Sequence, residues 1–186
     1  GAGTNEDSVA DHALGLLLAA VRAIPRNDRA CRDGIWRDAL PLPPQVAHRR
    51  LGIVGMGSIG LKIARRALGF DMAVGYHNRR QRDDVAYSYF DTVLALAEWA
   101  DFLVVAAPGG PATRHLVDAP VLTALGPQGF LVNIGRGSVV DTAALADALR
   151  DGRIAGAGLD VYESEPVPPQ ALVGLDQVVL SPTWAG

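Results

Sequence analysis

The segment Gly55-Met-Gly-Ser-Ile-Gly60 restricts the possible folds of this chain more than any other. It follows the apolar run Leu51–Val54 and leads into the helical stretch Leu61-Lys-Ile-Ala-Arg-Arg-Ala-Leu-Gly69. In a strand-loop-helix unit of this kind, Gly55 permits the tight turn, Gly57 lets backbone N–H groups approach a pyrophosphate, and Gly60 lets the helix pack closely on the strand. Glycines at this spacing also serve ordinary turns. The strand before them and the helix after them point to a nucleotide bound through Gly55, Gly57, Ser58, Ile59 and Gly60.

The pattern then repeats. Apolar runs at Leu51–Val54, Met72–Tyr76, Phe102–Ala106, Phe130–Ile134, Ala155–Leu159 and Val178–Leu180 alternate with helical stretches near 58–69, 91–99, 119–125 and 141–150. Runs without polar alternation are buried on both faces, as strands of a parallel sheet between helix layers are. The expected fold is therefore α/β, a doubly wound parallel sheet of the Rossmann type, with ligands at the carboxyl ends of the strands. Upstream, Asn5-Glu-Asp-Ser8 offers capping side chains to a helix over 7–23, with Val9, Ala13, Leu16, Leu17 and Val21 on one face. A polar helical stretch from Arg26 to Asp33 and the breaker Pro41-Leu-Pro-Pro44 follow and should lie against the sheet. We read residues 1–186 as one dinucleotide-binding domain, with a helical approach segment at 1–44 and a Rossmann core at 51–186.

Composition removes several function classes. With 186 residues, 49% of them hydrophobic, the chain suits one packed core. A net charge of −3 provides no broad basic field, so neither nucleic acid nor a membrane is expected as a partner. Cys31 is alone and cannot form an internal disulfide, and no metal-ligand spacing occurs, so no metal and a cytoplasmic location are expected. Leu14–Val21 is too short to span a bilayer.

Two later blocks carry chemistry: Asn133-Ile-Gly-Arg-Gly-Ser-Val-Val-Asp141 and Gly158-Leu-Asp-Val-Tyr-Glu-Ser-Glu-Pro166. Chemistry on a small anion with a carbonyl beside its carboxylate requires a group to hold the carboxylate, one to polarise the carbonyl and one to donate a proton. Arg136 has the planar, permanently charged fork that meets the first two needs. Gly135 and Gly137 beside it let ligands approach the backbone.

These blocks, with the glycine loop, resemble the D-isomer-specific 2-hydroxyacid dehydrogenases, in particular the glyoxylate and hydroxypyruvate reductases. The resemblance runs through nearly the whole chain. It implies an NAD(P)-dependent oxidoreductase acting on a small 2-keto or 2-hydroxy acid, and a homodimer to which the apolar face of the first helix could contribute. It also implies a separate substrate-binding lobe, which these 186 residues lack. Arg136 takes the family arginine's place, Glu165 that of the carboxylate orienting a catalytic histidine, and Asp160 that of the acceptor for the nicotinamide carboxamide. Glu163 is the nearby alternative to Glu165, expected to be solvated. Pro108 falls on the nicotinamide side and Thr113 near the ribose, and Ile134 and Gly135 belong with the cofactor-binding residues.

Two departures stand out. Asn78 occupies the position where an NAD-type site has an acid on the ribose 2′-hydroxyl, and Arg79 and Arg80 follow it. This favours NADP over NAD, although NAD remains possible and a solvated basic turn is the plainer alternative. At Ser181-Pro-Thr183 the family's histidine is replaced by Thr183, whose hydroxyl does not release a proton readily at neutral pH. The chain is thus expected to bind cofactor but to be catalytically impaired. The alternative is a non-catalytic nucleotide-sensing module of the corepressor type.

Overall fold

The computed structural model describes residues 5–183. Seven parallel strands form one sheet: β1 Arg50–Val54, β2 Ala73–His77, β3 Ser88–Tyr89, β4 Phe102–Val105, β5 Phe130–Asn133, β6 Gly156–Leu159 and β7 Val178–Leu180, in the order β3-β2-β1-β4-β5-β6-β7. The helices are α1 Glu6–Val21, α2 Ile24–Arg32, α3 Ser58–Leu68, α4 Val93–Trp99, α5 Ala119–Leu125 and α6 Thr142–Arg150. The strand order reverses direction between β1 and β4, which opens a crevice at their carboxyl ends. The six expected strands are all present. The additional β3 pairs Ser88 with Gly75 and Tyr89 with Tyr76, and is too short to produce a periodic signal.

The period of two along each strand sorts the core into two layers. Leu51, Ile53, Phe102, Val104, Phe130 and Val132 join α1 and α3 on one face. Leu103, Val105, Leu131, Ala157 and Leu159 join α4, α5 and α6 on the other. The second layer is fixed at its helix starts, where Thr92, Asp118 and Asp141 accept hydrogen bonds from the N–H groups of Ala95, Val121 and Ala144 at 3.0, 3.2 and 3.1 Å.

The N-terminal helices differ from expectation in three ways. Asn5 makes no side-chain cap to α1, and Asp7 in the first turn pairs instead with Lys62 and Arg66 of α3. Ala23 adopts a left-handed φ of 53°, so the helix stops at Val21 and α2 leaves at an angle of 54° with no buried residue. The apolar face of α1 is covered by its own sheet: a Cβ on Gly158 would stand 3.0 Å from Leu16 Cβ, and Leu17 and Val21 are buried. That face is therefore not free for a second copy of the chain. No single described helix is long and apolar enough to cross a membrane.

Tyr162 ties the ends of β6 and β7 together. Its hydroxyl donates to Ser181 O at 2.6 Å, lies 2.8 Å from Leu159 O and accepts from Ser181 N at 2.9 Å. Burial, which disfavours the phenolate, and the charges of Asp160 and Glu165 push its pKa from 10.0 up to about 12, against the opposing hydrogen bond to Ser181.

Two outcomes follow for stability. Leu103→Ala, at a fully buried position, should lower the unfolding free energy in urea by about 2–5 kcal/mol. Because the folded protein holds the Tyr162 proton more tightly than the unfolded chain, this contribution is complete below pH 10.0 and is lost as pH rises through about 12. Denaturation midpoints measured across that window should fall more steeply for the wild type than for Tyr162→Phe, and equal slopes would contradict the assignment.

Candidate active site

The site is assembled where strand ends meet without room for side chains. A Cβ on Gly55 would lie 2.7 Å from Ala107 Cα, and one on Gly135 would lie 2.6 Å from Ala107 O. The loops after β1 and β5 therefore close on the backbone of the loop after β4. Gly60 is equally constrained, since its Cβ would stand 2.4 Å from Gly55 O, so α3 starts directly over the turn. Gly57 is different: a Cβ there would meet nothing within 4 Å. Its free side and the first N–H groups of α3, at Ser58, Ile59 and Gly60, form an anion-accepting end in the sense required by the helix dipole.

Beside this turn lies a cleft of about 690 Å³ lined by Val54, Gly55, His77, Asn78, Arg79, Arg80, Ala107, Pro108, Ala112, Thr113 and Leu116. It sits at the strand-order reversal and brings the expected second-strand and fourth-strand residues to one surface. Arg79 and Arg80 are exposed, and their side chains have no hydrogen-bond or ion-pair partner among the described residues. Asn78 turns inward: its Oδ1 accepts from Met56 N at 2.7 Å, bracing the glycine turn. Thr113 Oγ1 donates to Pro108 O at 2.6 Å and so closes the loop that carries both residues.

On the far side of that loop lies Arg136. Asn133, 1% exposed, shapes the turn by donating from Nδ2 to Arg136 O at 3.0 Å and accepting from Gly135 N at 3.0 Å. The arginine side chain runs beside Gly109, whose Cβ would lie 3.1 Å from Arg136 Cγ, and its Nη1 donates to Gly135 O at 2.8 Å. Ile134 is buried beneath. Gly137 abuts the next loop so closely that its Cβ would stand 2.1 Å from the carbonyl carbon of Tyr162. The Arg136 segment and the Tyr162–Glu165 turn are thereby in backbone contact.

Glu165 accepts from Tyr162 N at 3.0 Å and from Thr183 Oγ1 at 3.2 Å. Thr183 thus meets the carboxylate through its hydroxyl, with a left-handed φ of 57°. A cleft of about 430 Å³ opens beside the pair, lined by Pro166, Val167, Pro169, Leu180 and Pro182 among others.

Glu163 is exposed, as expected, but it is also paired. Its Oε1 accepts from Thr142 N and Oγ1 at 3.0 and 2.9 Å, and its Oε2 lies 3.1 Å from His115 Nε2. Partial burial raises its pKa, but the Thr142 and His115 contacts outweigh that and hold it below the usual carboxylate value. His12, which on sequence reads as structural or solvated, lies 3.3 Å from Asp160 Oδ1 and 3.0 Å from Ser181 Oγ. Asp160 is 1% exposed, and its N–H donates to Asn133 O, so the ends of β5, β6 and β7 meet there. His12 lies 169 residues from Ser181 in sequence, so only the fold reveals the contact.

Comparison with known proteins identifies the family and agrees with the fold. Residues 14–185 match the D-isomer specific 2-hydroxyacid dehydrogenase family at its NAD binding domain. A hydroxyphenylpyruvate reductase of Plectranthus scutellarioides is 46% identical over 177 residues, 95% of this chain and 56% of that protein. A glyoxylate reductase of Pyrococcus horikoshii is 40% identical over 95% of this chain and 56% of its own length. An NADPH-dependent glyoxylate/hydroxypyruvate reductase of Sinorhizobium meliloti, solved with NADP and malonate, superposes with a TM-score of 0.94 at 45% identity, covering 100% of this chain and 59% of that one. The chain spans little more than half the length of the curated relatives it matches. It belongs to the D-isomer specific 2-hydroxyacid dehydrogenase family and corresponds to that family's NAD-binding region.

Proposed function

We propose that this chain is the cofactor-binding domain of a 2-keto acid reductase, and that it prefers NADP(H) to NAD(H). The observation that carries the reading is the unobstructed turn at Gly57 beside a crevice lined by Arg79 and Arg80, two guanidinium groups without a hydrogen-bond or ion-pair partner among the described residues. A pyrophosphate fits the turn and the start of α3, and a ribose 2′-phosphate fits the arginines, since guanidinium binds phosphate with paired charge-assisted hydrogen bonds. Asn78 adds no negative charge to oppose it.

When bound, the reduced nicotinamide supplies the hydride. The chain's residues handle the rest: Arg136 grips the carboxylate of the keto acid and polarises its ketone, and Asp160 accepts a hydrogen bond from the carboxamide. Pro108, Ile134 and Gly135 border the ring, and Thr113 holds its loop in place. Proton delivery is the weak point. Thr183 donates its hydroxyl hydrogen bond to Glu165, and a threonine hydroxyl does not release a proton readily at neutral pH. The alkoxide would take its proton from water, and turnover would be slow.

Thr183 also favours a second reading, a nucleotide-sensing interaction module of corepressor type, whereas the retained Arg136 and Glu165 favour the reductase. A homodimer belongs to the proposal as well. With α1 covered, its surface would lie on the exposed Ile24, Ile35, Trp36 and Leu42, of which Leu42 is 92% exposed.

Binding titrations of this chain should show NADPH held more tightly than NADH. Arg79→Ala combined with Arg80→Ala should remove most of the difference, about 10-fold or more from lost charge-assisted bonds. Tighter binding of NADH by the wild type would overturn the preference. In a protein carrying the second lobe, Thr183→His should raise glyoxylate reduction by about 10²–10⁴-fold. No gain would favour the sensor.

A further inference from the structure

Arg82 lies two residues beyond the arginines of the cleft and faces the glycine turn from behind. Its Nη1 donates to Met56 O at 3.0 Å, while Nε donates to Asp84 Oδ1 at 2.8 Å and Nη2 pairs with Asp84 Oδ2. The backbone of Arg82 is itself anchored: its N–H donates to the hydroxyl of the fully buried Tyr76 at 2.9 Å, and its carbonyl accepts from the same hydroxyl at 3.3 Å. Asp84 beside it raises the pKa of Arg82, and Arg82 lowers that of Asp84, so both stay charged across the neutral range.

Met56 is held on three sides. Its side chain is buried in the core, its N–H is taken by Asn78 Oδ1, and its carbonyl is taken by Arg82. In a trans peptide, C=O and N–H point in opposite directions. Capturing the Met56 carbonyl on the β2 side therefore turns the N–H of Gly57 away from β2, and this N–H has no partner among the described residues. Asn78 and Arg82 together replace the freedom of a glycine turn with one fixed orientation of the 56–57 peptide.

We infer that Arg82 is a positioning residue for the dinucleotide pyrophosphate: aimed by Asp84, it locks the Met56–Gly57 peptide so that the Gly57 amide is presented to the phosphates, and it does not itself read the 2′-phosphate. The inference rests on the nucleotide reading proposed above. With its fork committed to Asp84 and Met56 and its side chain 27% exposed, Arg82 differs from Arg79 and Arg80, whose side chains have no such partner among the described residues.

The test uses two probes that divide the cofactor. ADP carries the pyrophosphate without a 2′-phosphate, and adenosine 2′-monophosphate carries the reverse. Arg82→Ala should weaken ADP by about tenfold, the equivalent of one hydrogen bond to a charged group, and leave adenosine 2′-monophosphate unchanged. NADPH and NADH should weaken together, with their ratio preserved. Asp84→Ala, a milder change that leaves the guanidinium present but unaimed, should shift ADP the same way by a smaller factor. The melting temperature is measured alongside. Loss of adenosine 2′-monophosphate with ADP unaffected would show direct reading of the 2′-phosphate and overturn the inference. So would parallel loss of both probes, which marks general damage, or no change in either. If the wild type binds neither probe, the nucleotide reading itself fails and this inference with it.

Discussion

Ala107 is the point on which the site is built. The turn after β1 and the turn after β5 both press on its backbone at distances that exclude a side chain, through Gly55 and Gly135. Strand order makes this possible, because β1 and β4 are neighbours at the reversal and β5 is next in line. The sheet alone would leave these turns as three separate loops. The missing Cβ atoms let them merge into one surface, with Gly57 and the arginines of the second strand on one side of the 107–109 segment and Arg136 on the other.

Charge on that surface is distributed by commitment. Arg82 and Glu163 are spent on internal partners, Asp84 and Met56 for one, Thr142 and His115 for the other. Arg79 and Arg80 have no such partner among the described residues. A cation already paired has little left to offer a ligand, whereas an unpartnered one at the rim of a cleft keeps its full donor set. The same logic separates the two carboxylates of the Tyr162–Glu165 turn. Glu163 fastens α6 to the 113–117 loop, while Glu165 accepts from Tyr162 N within its own turn and from Thr183 after β7.

Much of this was legible in the sequence. The glycine spacing and the uninterrupted apolar runs pointed to a doubly wound parallel sheet, and that sheet opens a crevice where its strand order reverses. What stayed hidden was of another kind. The two-residue β3 is shorter than any periodicity can register. The roles of Arg82 and Glu163 depend on which partners the fold delivers, and nothing in the Arg-Asp-Asp or Glu-Ser-Glu runs distinguishes a braced side chain from a solvated one. The His12 contact with Asp160 joins α1 to the far end of β6, a pairing visible only once the helix is laid across the sheet. The cap expected from Asn5 failed because Glu6 and Asp7 begin the helix unaided and Asp7 finds cations on α3.

The most direct test is a crystal structure of the chain with NADPH. The account predicts the pyrophosphate over Gly57 and the first turn of α3, the 2′-phosphate between Arg79 and Arg80, and the nicotinamide ring between Pro108 and Asp160, with Arg136 facing it. A nucleotide bound away from the β1–β4 crevice, or an Arg136 side chain turned from the ring, would contradict it.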